Sequence, residues 1–127
     1  MKILVVDDSA AMRKIISAAL AKTSYSKERI VEASNGKEGF DKFVDDQFGI
    51  ILSDWNMPEM DGLEFVNKVR KVDKKVKIIM ITTEGTFGKM EEALDAGLDG
   101  YVVKPFTPEA LERKMNSVLK RKPAGEG

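Results

Sequence analysis

The sequence predicts an α/β protein in which five strand–helix units, (βα)5, build one doubly wound, five-stranded parallel sheet. Three observations predict it. Short apolar runs rich in Ile and Val recur at residues 3–6, 30–33, 49–53, 76–81 and 101–103. Several of them are apolar without interruption, as strands covered on both faces must be. The stretches between them carry helical periodicity, and strict alternation with short connections gives a parallel sheet with helices on both faces.

Each element follows from its residues. After the first run, Ser9 caps a helix in which Met12, Ile15, Ile16, Ala19 and Leu20 recur at i, i+3, i+4, i+7 and i+8. Phe40, Phe43 and Val44 mark the second helix, and Leu63, Val66 and Val69 the third. Phe87, Met90 and Leu94 mark the fourth, which Gly97 ends. Thr107 with Pro108 reads as an N-cap followed by proline at the first helical position, and Leu111, Met115, Val118 and Leu119 give the last helix its apolar stripe. From Lys120 the string KRKPAGEG has no periodicity, so one folded domain is expected over residues 1–121 with a flexible tail at 122–127.

Composition narrows the chemistry. A chain of 127 residues suits one domain, large enough to bury a core without staples. The 21 basic and 21 acidic residues cancel, which argues against a strongly basic nucleic-acid binder or a membrane-surface protein. With no cysteine and no histidine, thiolate and imidazole ligands, disulfides and imidazole acid–base catalysis are excluded. No stretch approaches the length of a membrane span, and MKILVVDD has too short an apolar run for a signal peptide, so the cytoplasm is the expected location.

In open α/β sheets ligands bind beyond the carboxyl ends of the strands. There the first strand ends in Asp7-Asp8, the third in Asp54, the fourth in Thr82-Thr83 and the fifth in Lys104-Pro105. Taken singly, an Asp after a strand is more often a turn former, and a Lys a solvated charge. Together, three carboxylates crowded at one edge repel one another unless a cation or proton intervenes. Oxygen ligands alone select a hard divalent ion, Mg²⁺ before Mn²⁺ or Ca²⁺. A carboxylate is able to act as a nucleophile and form an acyl phosphate, and Asp54, on the middle strand, is the natural acceptor.

These residues resemble the receiver domain of two-component response regulators. The match runs over roughly residues 1–121, through VVDD at 5–8, SDWNMPEMDG at 53–62, Thr82 and YVVKPF at 101–106. The stretch from Asp54 to Pro58, with Gly62, looks particularly like the stand-alone, CheY-like chemotaxis regulators of that family. The resemblance implies the flavodoxin-like strand order 2-1-3-4-5 known for such receivers. It implies Asp54 as the residue phosphorylated by a sensor histidine kinase. Asp8 and Asp54 would ligate Mg²⁺ through side chains, Asn56 through its backbone carbonyl and Asp7 through a water. Lys104, joined to Pro105 by a cis bond, would pair with the phosphoryl oxygens. Thr82 would move toward the phosphoryl group and Tyr101 would turn inward behind it. Phe87, Met90, Tyr101, Val103 and Lys114 would form the partner face. The protein would be a signalling switch, catalysing at most its own phosphorylation and dephosphorylation, with the flagellar motor switch as its target.

The chain departs from the family pattern at Thr83, where a smaller residue is usual, and at Gly85-Thr86-Phe87-Gly88, which opens the fourth helix with two glycines. Asn56 and Glu84 flank the acceptor and would tune the phosphoryl lifetime. A phosphorelay intermediate is the nearest alternative. A phosphatase of the haloacid dehalogenase type would normally carry Asp-x-Asp after its first strand, where this chain has an adjacent pair. An FMN binder needs a phosphate-cradling loop where Asp7-Asp8 places negative charge.

Overall fold

The computed structural model describes residues 1–83 and 87–121, and of Phe87 the backbone alone. The expected tail at 122–127, and Glu84, Gly85 and Thr86, lie outside the described residues. The elements alternate as β1 Lys2–Val6, α1 Ala10–Leu20, β2 Arg29–Ala33, α2 Gly36–Val44, β3 Ile50–Asp54, α3 Gly62–Val72, β4 Lys77–Thr82, α4 Phe87–Ala96, β5 Gly100–Val103 and α5 Pro108–Leu119. All four strand pairings are parallel, and the sheet order is β2-β1-β3-β4-β5.

The period-two geometry of a strand sorts the side chains into two cores. Leu4, Val6, Ile51, Ile78 and Met80 face α2, α3 and α4, where Phe43, Phe65, Val66 and Met90 meet them. Ile3, Val5, Ile50, Leu52, Ile79 and Ile81 face α1 and α5, against Ile16, Leu20, Leu111 and Met115. This is the doubly wound arrangement, and it explains why β1, β3 and β4 read as unbroken apolar runs. Ser9, Asn35, Asp61 and Thr107 each accept a backbone N–H three residues on, capping α1, α2, α3 and α5. Each such cap contributes about 1 kcal/mol.

Three stripe residues read from periodicity lie outside the core. Ile15, Val44 and Leu94 are exposed, because the buried phase runs through Ile16, Phe43 and Ala93 beside them. The chain is also ordered past Leu119. Lys120 adopts φ 57° and the Arg121 N–H returns to Asn116 O at 2.8 Å, a Schellman-type closure of α5. Arg121 then lies 5.1 Å over the ring of Tyr25, a fully buried residue from the α1–β2 loop whose hydroxyl donates to Asn116 Oδ1 at 2.6 Å.

Candidate metal and phosphoacceptor site

Strand register assembles the site. Val6 of β1 pairs with Ser53 of β3, so the residues that follow, Asp7 and Asp54, stand side by side at the carboxyl edge. Carboxylate oxygens of Asp7, Asp8 and Asp54 all lie within 4.8 Å of one another. Asp7 is 1 % and Asp54 7 % exposed, while Asp8 is open to solvent. From the end of β5, Lys104 Nζ stands 3.0 Å from Asp54 Oδ1 and 3.7 Å from Asp7 Oδ2. The Lys104 N–H donates to the Thr82 carbonyl at 2.6 Å, and the Lys104–Pro105 bond is cis, as the resemblance implied.

Asp7 carries the cost of this crowding. Burial pushes its carboxyl above the usual carboxylate range; the Ser9 N–H opposes the shift, the Asp54 charge adds to it, Lys104 opposes it and Asp8 adds to it. Asp7 Oδ1 accepts from the Ser9 N–H at 2.9 Å, whereas buried Asp7 Oδ2 has no hydrogen-bond partner. A buried carboxylate oxygen with no hydrogen bond, facing two further carboxylates, fits a hard cation, whose oxygen ligands these groups would be. Mg²⁺ suits the donor set, with Asp7, Asp8 and Asp54 as the side chains that would hold it.

The remaining expected residues are placed as follows. Thr82, 2 % exposed, ends β4 beside Asp54, and its hydroxyl donates to the Thr83 carbonyl at 3.1 Å. Tyr101 is half-buried and packs against the α2–α4 core, on the same sheet face as Met80 and Thr82. Asn56 is exposed on the loop after β3. Val103 and Lys114 are half-buried. Met90 requires a correction: at 3 % exposed it is a core residue holding α4 on the sheet, and its side chain is not on an open partner face. The side chain of Phe87 lies outside the described residues. Trp55, next to Asp54, points the other way into the α2–α4 core, where a Cβ on Gly62 would run into its ring.

The sequence reading missed Arg13, whose Nη1 donates to the Asp7 carbonyl at 2.7 Å. Its place one turn after the Asp7-Asp8 pair was the available signal.

Residues 3–116 match the family described as the response regulator receiver domain. The chain is 47 % identical over 122 residues to the chemotaxis protein CheY1 of Helicobacter pylori, covering 94 % of this chain and 97 % of that protein. It is 45 % identical to the chemotaxis protein CheY homolog of Campylobacter jejuni, covering 94 % of this chain and 92 % of that one. Among solved structures, the chemotaxis response regulator CheY4 of Vibrio cholerae superposes with a TM-score of 0.83 at 38 % identity, over 92 % of this chain and 97 % of that one.

Proposed function

This chain belongs to the response regulator receiver domain family, and from that premise we propose that it is a chemotaxis switch phosphorylated on Asp54 by a histidine kinase. The observation that carries the proposal is the meeting of Asp7, Asp8 and Asp54 with Lys104 at one sheet edge. A carboxylate oxygen of Asp54 attacks the phosphorus of a kinase phosphohistidine. The P–N bond breaks, an O–P bond forms, and the imidazole departs as the leaving group. Lys104, already 3.0 Å from Asp54 Oδ1, pairs with a phosphoryl oxygen. Asp8, Asp54 and the Asn56 carbonyl would hold Mg²⁺, with Asp7 acting through a water, and the ion when bound would supply the remaining neutralisation of the phosphoryl charge.

Output runs through β4 and β5. The Thr82 hydroxyl leaves the Thr83 carbonyl for the phosphoryl group, and Tyr101, on the same face, moves into the space vacated. The surface built from α4, β5 and α5, including Tyr101, Val103 and Lys114, then fits a protein target. The relatives' names point to chemotaxis, and the flagellar motor switch is the target proposed. Among the described residues no helix is long and apolar enough to cross a membrane.

Trp55, the sole tryptophan, tests the reading. Mg²⁺ and then beryllofluoride are titrated while its fluorescence is followed in the wild type and in Asp54→Asn. The expected result is a beryllofluoride response in the wild type that Asp54→Asn abolishes. A folded protein that responds to neither, or equally with Asp54→Asn, refutes the reading.

A further inference from the structure

Every polar atom of Asp7 except Oδ2 has a fixed hydrogen-bond partner. Its N–H donates to the Ala33 carbonyl at 3.1 Å, its Oδ1 accepts from the Ser9 N–H at 2.9 Å, and its carbonyl accepts from Arg13 Nη1 at 2.7 Å. The last of these comes from a side chain on α1 that reaches back over the helix cap. Arg13 is steadied by a second bond, from Nε to Glu32 Oε1 on β2 at 2.9 Å. A guanidinium suits this position because its planar fork serves two acceptors at once.

Asp8 is supported differently. Its carboxylate is exposed, and among the described residues no hydrogen bond or ion pair holds it. With no side-chain partner, what is fixed of its course toward Asp7 and Asp54 is the Cα–Cβ bond, and the main chain sets that. The carbonyl gripped by Arg13 belongs to the peptide that joins Asp7 to Asp8.

We infer that Arg13 is a positioning residue of the acidic site, fixing the Asp7–Asp8 peptide so that Asp8 is presented to the cation. This rests on the reading of the cluster as a Mg²⁺ site and extends it to a side chain that is not itself a ligand. Removing such an outer partner typically weakens metal binding by about 10-fold to 100-fold. Two simpler roles predict other results. A merely neighbouring positive charge would repel Mg²⁺, so its loss would tighten binding. A merely structural α1–β2 ion pair would change stability and leave affinity alone, and Glu32→Gln would reproduce its loss.

The test is calorimetric titration of Mg²⁺ into the full chain, for the wild type, Arg13→Met, Arg13→Lys and Glu32→Gln, with urea unfolding of each. Met keeps the aliphatic bulk without a donor, and Lys restores one donor to the Asp7 carbonyl. The expected result is affinity about 10-fold weaker in Arg13→Met, largely recovered in Arg13→Lys and unchanged in Glu32→Gln. If Arg13→Met does not fold, Arg13→Lys against Arg13→Ala, which also lacks a donor, makes the same comparison. Wild-type or tighter affinity in folded Arg13→Met overturns the inference, whereas a wild type that binds no Mg²⁺ overturns the metal-site reading beneath it.

Discussion

The Lys104 ammonium donates to Asp54 Oδ1 at 3.0 Å, joining the end of β5 to the end of β3 across the intervening strand β4. The same nitrogen lies 3.7 Å from Asp7 Oδ2, so one cation faces the two buried carboxylates of the cluster. This ion pair holds the place that a phosphoryl group and its counter-ion would take over.

Replacing Lys104 by Met removes the resident cation and leaves the carboxylates without it. Mg²⁺ affinity should be kept or increased, because the competing positive charge is gone. The conformational response to beryllofluoride should fall sharply. Mg²⁺ calorimetry paired with Trp55 fluorescence separates the two effects, and loss of Mg²⁺ binding itself would contradict this role for Lys104.

The raised Asp7 pKa gives a stability prediction with a definite sign. Between the ordinary carboxylate value of 3.8 and its elevated folded value, the folded state holds a proton that the unfolded chain releases. Asp7 therefore stabilises the metal-free fold least once pH has risen through that window, and at neutral pH its charge is a burden. Asp7→Asn should raise the Tm of the metal-free protein at pH 7 and leave Tm nearly unchanged well below the window. In the wild type Mg²⁺ at roughly a hundredfold above Kd should add about 2.7 kcal/mol. Thermal melts across pH, with and without Mg²⁺, read both effects.

Thr82→Ala should leave Asp54 open to phosphorylation while blunting output. A population shift from 1:99 to 99:1 needs about 5.5 kcal/mol of differential affinity, and the Thr82 hydroxyl is one of the few groups able to supply part of it. Phosphate incorporation and target binding, measured on the same variant, should separate. Full target binding by phosphorylated Thr82→Ala would contradict the proposed coupling.

Tyr25→Phe tests the corner beneath the sheet. The lost hydroxyl leaves Asn116 Oδ1, on the buried side of α5, without its 2.6 Å donor. The expected destabilisation is about 1–3 kcal/mol by urea unfolding, with Mg²⁺ affinity unchanged.

The fold was legible because β1, β3 and β4 are covered on both faces, and Ile3 to Val6 or Ile78 to Ile81 is a run that only a doubly covered strand sustains. The acidic site was legible for a related reason, since the carboxyl edge of such a sheet gathers whatever follows each strand. Helix phase was less so. Two apolar residues in succession, as at Ile15-Ile16 or Phe43-Val44, leave the centre of the stripe open by one position, and only packing decides it. Met90 fits both a helical stripe and the partner face that the resemblance implies, and it lies in the core. Tyr25 was invisible for another reason: it is an aromatic in a polar loop and acquires its role from a partner 91 residues away, Asn116. Arg13 reads as a surface-type charge, and only its nearness to the Asp7-Asp8 pair signals its bond to the Asp7 carbonyl, 6 residues back.

If Asp54 accepts the phosphoryl group, labelled phosphate must be incorporated there. The full chain is incubated with a small acyl phosphate donor, with Mg²⁺ or with EDTA, and the label is mapped to a peptide. Incorporation, trapped by borohydride reduction before the acyl phosphate hydrolyses, is expected only with Mg²⁺, located in the peptide containing Asp54 and absent from Asp54→Asn. Label that persists in Asp54→Asn, or none in folded wild type with Mg²⁺ present, would contradict it.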